Sequence, residues 1–338
     1  MIQECTIDEI LSQQGAIIDV RSPGEYEKGH IPGAVNIPLF DNDERAHVGT
    51  VYKQQSKDDA VKLGYKYVTP KLQWFIDESL KVAPERMVTV HCWRGGMRSQ
   101  SFAQHLHDNG FSHINLISGG YKAYRNHVLN TFEKPYSLQI LGGYTGSGKT
   151  YILKELEKLG EQVINLEGLA NHKGSAFGAI GQDIQPSVEQ FENNLHQQWM
   201  KLNHNKPIWL EDESHNIGFD KIPMHLYLQM RNAQLYFIDI PKTERAKHLV
   251  DEYTGENDAL LAESIYKISK RLGGQNVKDS ISYLEQKNYF EVALIALHYY
   301  DKSYHKGLSS RNSKNVSIIP LETVNHKRNA EIILNSIK

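Results

Sequence analysis

At 338 residues the chain has room for two domains, and with 23% charged and 40% hydrophobic residues it has the make-up of an ordinary globular protein. A formal net charge of −2 gives no global basic field, so any nucleic-acid contact must come from a local patch. The two cysteines, Cys5 and Cys92, are far apart, which excludes a disulfide framework and a cysteine metal site by spacing and points to a reducing compartment. The N-terminus is polar and no apolar run approaches about 18 residues, so neither a signal peptide nor a membrane span is expected and the expected location is the cytoplasm. There is no internal repeat and no low-complexity segment.

An apolar run over residues 16–20 predicts a buried strand, broken by Ser22-Pro23-Gly24. Residues 25–38 predict a turn, a loop and a second short strand, and the polar stretch 41–85 reads as mostly helical. A third strand at 87–91 ends on Cys92. A helix over 98–109 follows, with Phe102, Ala103 and Leu106 on one face and Gly110 as its stop. Another strand at 114–117 precedes Ser118-Gly119-Gly120-Tyr121. Strands and helices alternating at this length predict a doubly wound parallel sheet.

The segments Asp19-Val20-Arg21, Glu25-Tyr26, Gly29-His30-Ile31-Pro32-Gly33-Ala34 and Asn36-Ile37-Pro38 stand with the Cys92 loop and Gly119-Gly120. As a set they resemble the rhodanese family over residues 1–125. Cys92 ends a strand before a helix, with Arg94 and Arg98 close by in sequence. A free thiol titrates near about 8.5. Glycines, arginines and a helix N-terminus stabilise its thiolate and an anion bound beside it. The flanking residues favour this over an inert buried cysteine, whereas Cys5 reads as structural or incidental. Cys92, five residues and then Arg98 is also the pattern of cysteine-dependent phosphatases. Single-domain sulfurtransferases that resemble this part usually carry a loop one residue shorter. The longer loop suits a tetrahedral oxyanion better than a bare sulfane sulfur.

Residues 130–136 read as a junction, with Pro135 before a strand at 137–141. That strand runs into Gly143-Tyr144-Thr145-Gly146-Ser147-Gly148-Lys149-Thr150, and the helix behind it carries Ile152, Leu153, Leu156 and Leu159. Further on come a strand at 162–166, a polar loop at 171–178, a helix at 186–203 and a strand at 208–210 leading into Glu211-Asp212-Glu213-Ser214. A strand at 235–240, helices over 242–303, a strand at 316–319 and a helix at 322–337 complete the chain. The expected organisation is a rhodanese-like doubly wound domain over 1–130, then a P-loop α/β domain over 131–338 with a helical insertion at 242–303.

The second loop matches the Walker A pattern in the strand–loop–helix context the pattern requires. Gly143, Thr145, Gly146, Ser147 and Gly148 let the backbone close on a diphosphate. Lys149 would contact its charge and Thr150 would ligate magnesium. Glu211 and Asp212 are candidates for a second magnesium contact or for its outer shell, with Glu213 in the same cluster; the alternative is a solvated acidic turn. No other metal is expected. His172 and Lys173 lie in a loop that faces either the phosphates or solvent. The run 302–314 contains no acidic residue and offers a nucleic-acid phosphate contact, a solvated polar turn being the other reading.

A rhodanese-like domain and a P-loop domain in one chain resemble the tRNA 2-selenouridine synthase family over nearly the full length. The marks are Cys92-Trp93-Arg94-Gly95-Gly96-Met97-Arg98-Ser99, Thr145-Gly146-Ser147-Gly148-Lys149-Thr150, Leu166-Glu167-Gly168-Leu169-Ala170-Asn171-His172-Lys173-Gly174-Ser175 and Leu210-Glu211-Asp212-Glu213-Ser214. The resemblance implies a tRNA-modifying transferase that converts wobble 2-thiouridine to 2-selenouridine. It implies selenophosphate, supplied by selenophosphate synthase, as selenium donor. Geranyl diphosphate would be a co-substrate that alkylates the sulfur first and so makes it a leaving group. Cys92, Arg94 and Arg98 are then catalytic and the second loop holds the diphosphate. No tightly bound cofactor is implied beyond a magnesium ion. The rivals are a rhodanese-fold cysteine phosphatase or sulfurtransferase coupled to a P-loop ATPase or kinase, and a tRNA-binding module that needs neither loop.

Overall fold

Short runs such as Val88-Thr89-Val90-His91 and Ile208-Trp209-Leu210-Glu211 are buried along their whole length, as parallel strands covered by helices on both faces must be. The structure, a computed structural model, describes residues 1–13, 15–253, 257–309 and 311–337, which form two compact units, Met1–Thr131 and Phe132–Lys338.

The first unit runs β1 (Ile2–Cys5), α1 (Ile7–Ser12), β2 (Ala16–Asp19), α2 (Pro23–Glu27), β3 (Val35–Asn36), α3 (Asn42–Gln54), α4 (Lys57–Val68), α5 (Leu72–Val82), β4 (Met87–His91), α6 (Met97–Asp108), β5 (His113–Ile117) and α7 (Gly120–Thr131). Its strands pair in parallel in the order β1-β5-β4-β2-β3. Ile18, Val20, Val88, Val90, Phe75, Phe102 and Leu106 make its core. Two elements escape the apolar-run criterion. The strand β1 is a short edge strand in which Cys5 is buried and Ile2 packs partly against the core, so Cys5 has a packing role. The expected turn after Ser22 is instead the helix α2. Pro23 opens it with a preset φ, and Glu25 Oε2 accepts from the Ser22 N–H at 3.1 Å.

The second unit runs β6 (Leu138–Gly143), α8 (Lys149–Lys158), β7 (Gln162–Val163), α9 (Leu166–Leu169), α10 (Val188–Trp199), β8 (Ile208–Glu211), β9 (Asn216–Ile217), β10 (Asp220–Lys221), α11 (Met224–Asn232), β11 (Gln234–Asp239), α12 (Lys242–Tyr253), α13 (Asp258–Lys267), α14 (Ser269–Leu272), α15 (Gly274–Glu285), α16 (Tyr289–Ser309), β12 (Val316–Pro320) and α17 (His326–Ile337). The parallel order is β12-β11-β6-β8-β7, with β9 and β10 as a small antiparallel hairpin. The strand expected over 162–166 is cut short because Asn165 caps a new helix, its side chain accepting from Gly168 N–H at 2.7 Å. The last helix likewise begins at His326 rather than at 322. Helices α12 to α16 carry their own apolar cluster, in which Leu261, Ile265, Leu272, Val277, Leu284 and Val292 meet Ile180. Among the described residues no helix is long and apolar enough to cross a membrane.

Candidate functional site

Both loops leave the C-terminal end of a parallel strand, the edge of an open α/β sheet where ligands bind. In the first unit β4 delivers Cys92, which is buried at the start of its loop with Sγ 3.2 Å from the Ser99 hydroxyl. The loop is clasped by the first turn of α7. Tyr121 N–H donates to Cys92 O and Lys122 N–H to Trp93 O, both at 2.9 Å. Gly120 permits this. Its φ is +61°, and a Cβ there would lie 2.4 Å from Cys92 O and from Gly95 N. Beneath, Asp19 and Arg21 form a buried pair at 2.6 Å, with the guanidinium 3.7 Å from the Tyr121 ring centre.

Burial raises the Cys92 thiol. The Ser99 hydroxyl, the Arg98 charge and the backbone amides of Ser99 and Arg94 outweigh that and hold it below its ordinary value. Arg98 is not idle, since its Nη1 lies 2.8 Å from Glu25 Oε2, with Arg45 Nε 3.5 Å from the same oxygen. Burial works against the Glu25 charge, but Arg98, the Ser22 amide and Arg45 keep its carboxyl below the usual range. Arg94 stands exposed at the tip. Alkylation of the Cys92 peptide by iodoacetamide, followed by mass spectrometry, is therefore expected to reach half its plateau rate below pH ~8.5, the value of a free thiol. Ser99→Ala should move that midpoint upward, because a hydrogen bond to the thiolate is lost. A midpoint at or above the free-thiol value would contradict the assignment.

In the second unit β6 leads through residues 143–150 into α8. Lys149 is buried, with Nζ donating to Gly143 O at 3.1 Å and lying 5.5 Å from the Tyr304 ring centre. Burial disfavours its charge, yet the Tyr304 oxygen and the carboxylates of Glu167, Glu213 and Asp212 hold it above the ordinary lysine range. The Thr150 hydroxyl donates to Glu167 Oε2 at 2.6 Å. Glu211 is buried; Oε2 accepts from Leu166 N–H at 3.0 Å, and Oε1 has no hydrogen-bond partner among the described residues. Burial and the Glu167 charge push the Glu211 carboxyl up to about 8, and burial and Glu167 also push Glu213 well up. The acidic groups that act on Lys149 are thus Glu167, Glu213 and Asp212, with Glu211 buried close by.

Asp212 plays another part. Its Oδ1 accepts from Arg311 Nη2 at 2.5 Å, and Arg231 Nη1 stands 3.7 Å away. Arg311 is itself buried and donates to Met230 O and Arg231 O at 3.1 and 3.2 Å. Within the run 302–314 this takes Arg311 out of any phosphate contact, and the other reading, a polar turn, gives way to helix over the first half. That half extends α16 to Ser309, Tyr304 covers Lys149, and His305 Nε2 lies 3.1 Å from the Tyr144 hydroxyl. Lys314 stays exposed, and the Lys306 side chain lies outside the described residues. In the 171–178 loop the two named residues part ways. Lys173 lines the P-loop cavity and pairs with Glu252 at 2.9 Å, whereas His172 Nδ1 accepts from Gly174 N–H at 3.2 Å and braces its own loop.

Residues outside the motifs complete the site. Arg245 on α12 donates to Thr145 O at 3.1 Å and to Ile240 O at 2.9 Å, and grips Asp301 of α16 at 3.0 and 3.1 Å. It ties the phosphate loop to the helical insertion, and no sequence signal marks it, because an arginine in a helix is usually a surface residue. A cavity of about 430 Å³ joins the two. Its lining includes Thr145, Gly148, Lys149 and Thr150 of the loop together with the apolar side chains of Phe177, Leu261, Val292, Ala293 and Leu297. Among the described residues no group of three or more His, Cys, Asp or Glu side chains is arranged to hold a metal ion.

The profile of the tRNA 2-selenouridine synthase AAA domain matches residues 136–326, and that of the rhodanese-like domain matches residues 6–127. The tRNA 2-selenouridine synthase of Nitrosomonas europaea is 32% identical over 87% of this chain and 89% of its own. That of Shewanella frigidimarina is 38% identical over 79% of this chain and 78% of its own. That of Shewanella sediminis is 33% identical, covering 90% and 91%.

Proposed function

The chain belongs to the tRNA 2-selenouridine synthase family, and from that premise we propose that it converts 2-thiouridine at the tRNA wobble position to 2-selenouridine in the cytoplasm, through an S-geranylated intermediate. The supporting observation is the cavity, in which a diphosphate loop opens directly onto an apolar chamber. That pairing suits a prenyl diphosphate, with its charged head on Lys149 and its hydrocarbon tail among Phe177, Leu261, Val292 and Leu297. A kinase or ATPase reading leaves the apolar chamber without a purpose.

In the first step the thiocarbonyl sulfur forms a bond to C1 of the geranyl group. The C1–O bond breaks, diphosphate leaves with the electron pair, and the N3 proton of the base goes to solvent. Lys149 and the loop amides balance the charge that builds on the diphosphate. In the second step selenium from selenophosphate forms a bond to C2 and geranylthiol departs, while water takes the phosphoryl group as phosphate. Cys92, Arg94 and Arg98 would bind and aim that donor. A magnesium ion fits the oxygen donors present. The Thr150 hydroxyl and the carboxylates of Glu167 and Glu213 would hold it, the diphosphate supplying the other ligands, as magnesium prefers. It would neutralise charge on the leaving diphosphate.

Incubating the protein with thiolated tRNA, geranyl diphosphate and selenophosphate, then resolving wobble nucleosides by mass spectrometry, tests the scheme. Transient geranylthiouridine followed by selenouridine is expected. Label from γ-labelled ATP released as inorganic phosphate would favour an ATPase, and label transferred to an acceptor a kinase, in either case with no modified nucleoside. The chamber has its own check. Ala293→Phe narrows it and is expected to raise KM for geranyl diphosphate about tenfold, the scale of a few lost apolar contacts. Inhibition by inorganic diphosphate, which lacks the tail, should not change. Equal loss of both would mean the loop itself was disturbed.

A further inference from the structure

We propose that Tyr151, backed by His326 and His248, is the platform on which the thiolated base of the RNA substrate stacks during alkylation. The inference rests on the reading above, since it assigns the second substrate of the same cavity. Tyr151 follows Thr150 directly, on the first turn of α8, and is 39% exposed. The His326 ring lies parallel to it, with centroids 4.8 Å apart and planes 20° apart. His248 meets both rings nearly edge-on, at 5.8 Å from Tyr151 and 5.3 Å from His326. His326 reaches this position because residue 148 is glycine; a Cβ there would stand 2.8 Å from His326 Nε2. The stack is thus built onto the phosphate loop itself.

His326 covers one face of Tyr151 and His248 meets it nearly edge-on, while the residue stays 39% exposed. Tyr151, His248 and Lys154 all line the cavity that contains Lys149 and Thr150. The Lys154 ammonium stands over the Tyr151 ring, 5.4 Å from its centre, on an exposed flexible stem that can swing aside for an incoming base. A flat aromatic face beside a movable cation suits a nucleotide, the base stacking on the ring and its phosphate meeting the lysine. Burial lowers both His248 and His326, which favours the neutral rings that stack best. The chemistry needs such a platform. The sulfur must be held against C1 of a donor whose diphosphate sits in the adjacent loop, and a wobble base has to leave its own stack to get there.

The test uses the full chain and an anticodon stem-loop RNA carrying 2-thiouridine. Tyr151→Ala is expected to lower kcat/KM for the RNA about 10- to 100-fold, the size of one base-stacking contact. The loss should fall mainly in KM. Tyr151→Phe keeps the ring and should stay within about threefold of wild type by the same reasoning. Binding of geranyl diphosphate alone, by calorimetry, should be unchanged in both variants. Fluorescence anisotropy of the labelled stem-loop supplies an arm that needs no turnover, and Tyr151→Ala should weaken that binding too. Alanine activity and RNA binding within twofold of wild type would overturn the proposal. So would a phenylalanine variant as impaired as alanine, or loss of ATP binding in Tyr151→Ala with RNA kinetics intact. A wild-type protein that binds the stem-loop through Tyr151 but makes no geranylated product would instead sink the alkylation scheme and leave the platform standing.

Discussion

Lys149→Ala is expected to abolish S-geranylation of 2-thiouridine tRNA, with kcat falling by about 10² to 10³, the cost of losing one preorganised donor to developing charge. Lys149 is buried between Gly143 O and Tyr304, with the carboxylates of Glu167 and Glu213 near it. Among these groups its ammonium is the one suited to meet a departing diphosphate. Alanine removes that charge and leaves the acidic groups unopposed, so the site repels the anion it should bind. Lys149→Arg keeps the charge, but its planar fork does not fit a slot shaped around a point charge, and it should recover only part of the rate. The measurement is single-turnover formation of geranylthiouridine at saturating geranyl diphosphate. Alanine activity within a factor of two of wild type would remove Lys149 from the reaction.

Cys92→Ala separates the two halves of the reaction. Alkylation needs no protein thiol, because the tRNA sulfur is the nucleophile and diphosphate the leaving group. Selenium delivery does need an aimed donor. Ser99 and Arg98 hold the Cys92 thiol below its ordinary range against burial, whereas Cys5 is packed into an edge strand with burial and Glu9 raising its thiol. The variant should therefore make geranylthiouridine at an ordinary rate and stall there, with selenouridine down by at least about 10²-fold, as for removal of a nucleophile or its partner. Arg98→Ala should stall less completely. Its loss also leaves the Glu25 charge opposed only by Arg45 and the Ser22 amide, which weakens the site's hold on an anion. A time course of thio-, geranylthio- and selenouridine reads both effects. Normal selenouridine from Cys92→Ala would take the thiol out of the mechanism, and loss of both products would mean that alkylation depends on it too.

The two anion loops could be read directly from the order of residues, because each is a local device. A strand end, a few glycines, one cation or thiol and a helix N-terminus are contiguous, and backbone amides supply most of the binding. Parallel sheets follow from the same kind of information, since β2, β4, β6, β8 and β11 are short apolar runs separated by amphipathic stretches. What surrounds the loops could not be read that way. Glu167 reaches Thr150 from α9, Arg245 braces Thr145 from 100 positions away, and His326 backs Tyr151 from the far end of the unit. These are ordinary surface residue types, and nothing in their neighbours distinguishes a brace from a solvated side chain until packing brings them together. Arg311 shows the hazard. It stands in an acid-free polar run that looks like a nucleic-acid contact, and the fold buries it against Asp212. The apolar chamber belongs to the same class. Leu261, Val292, Ala293 and Leu297 have the periodicity of ordinary core positions on α13 and α16, and only the tertiary structure shows that they line the same cavity as Lys149 and Thr150.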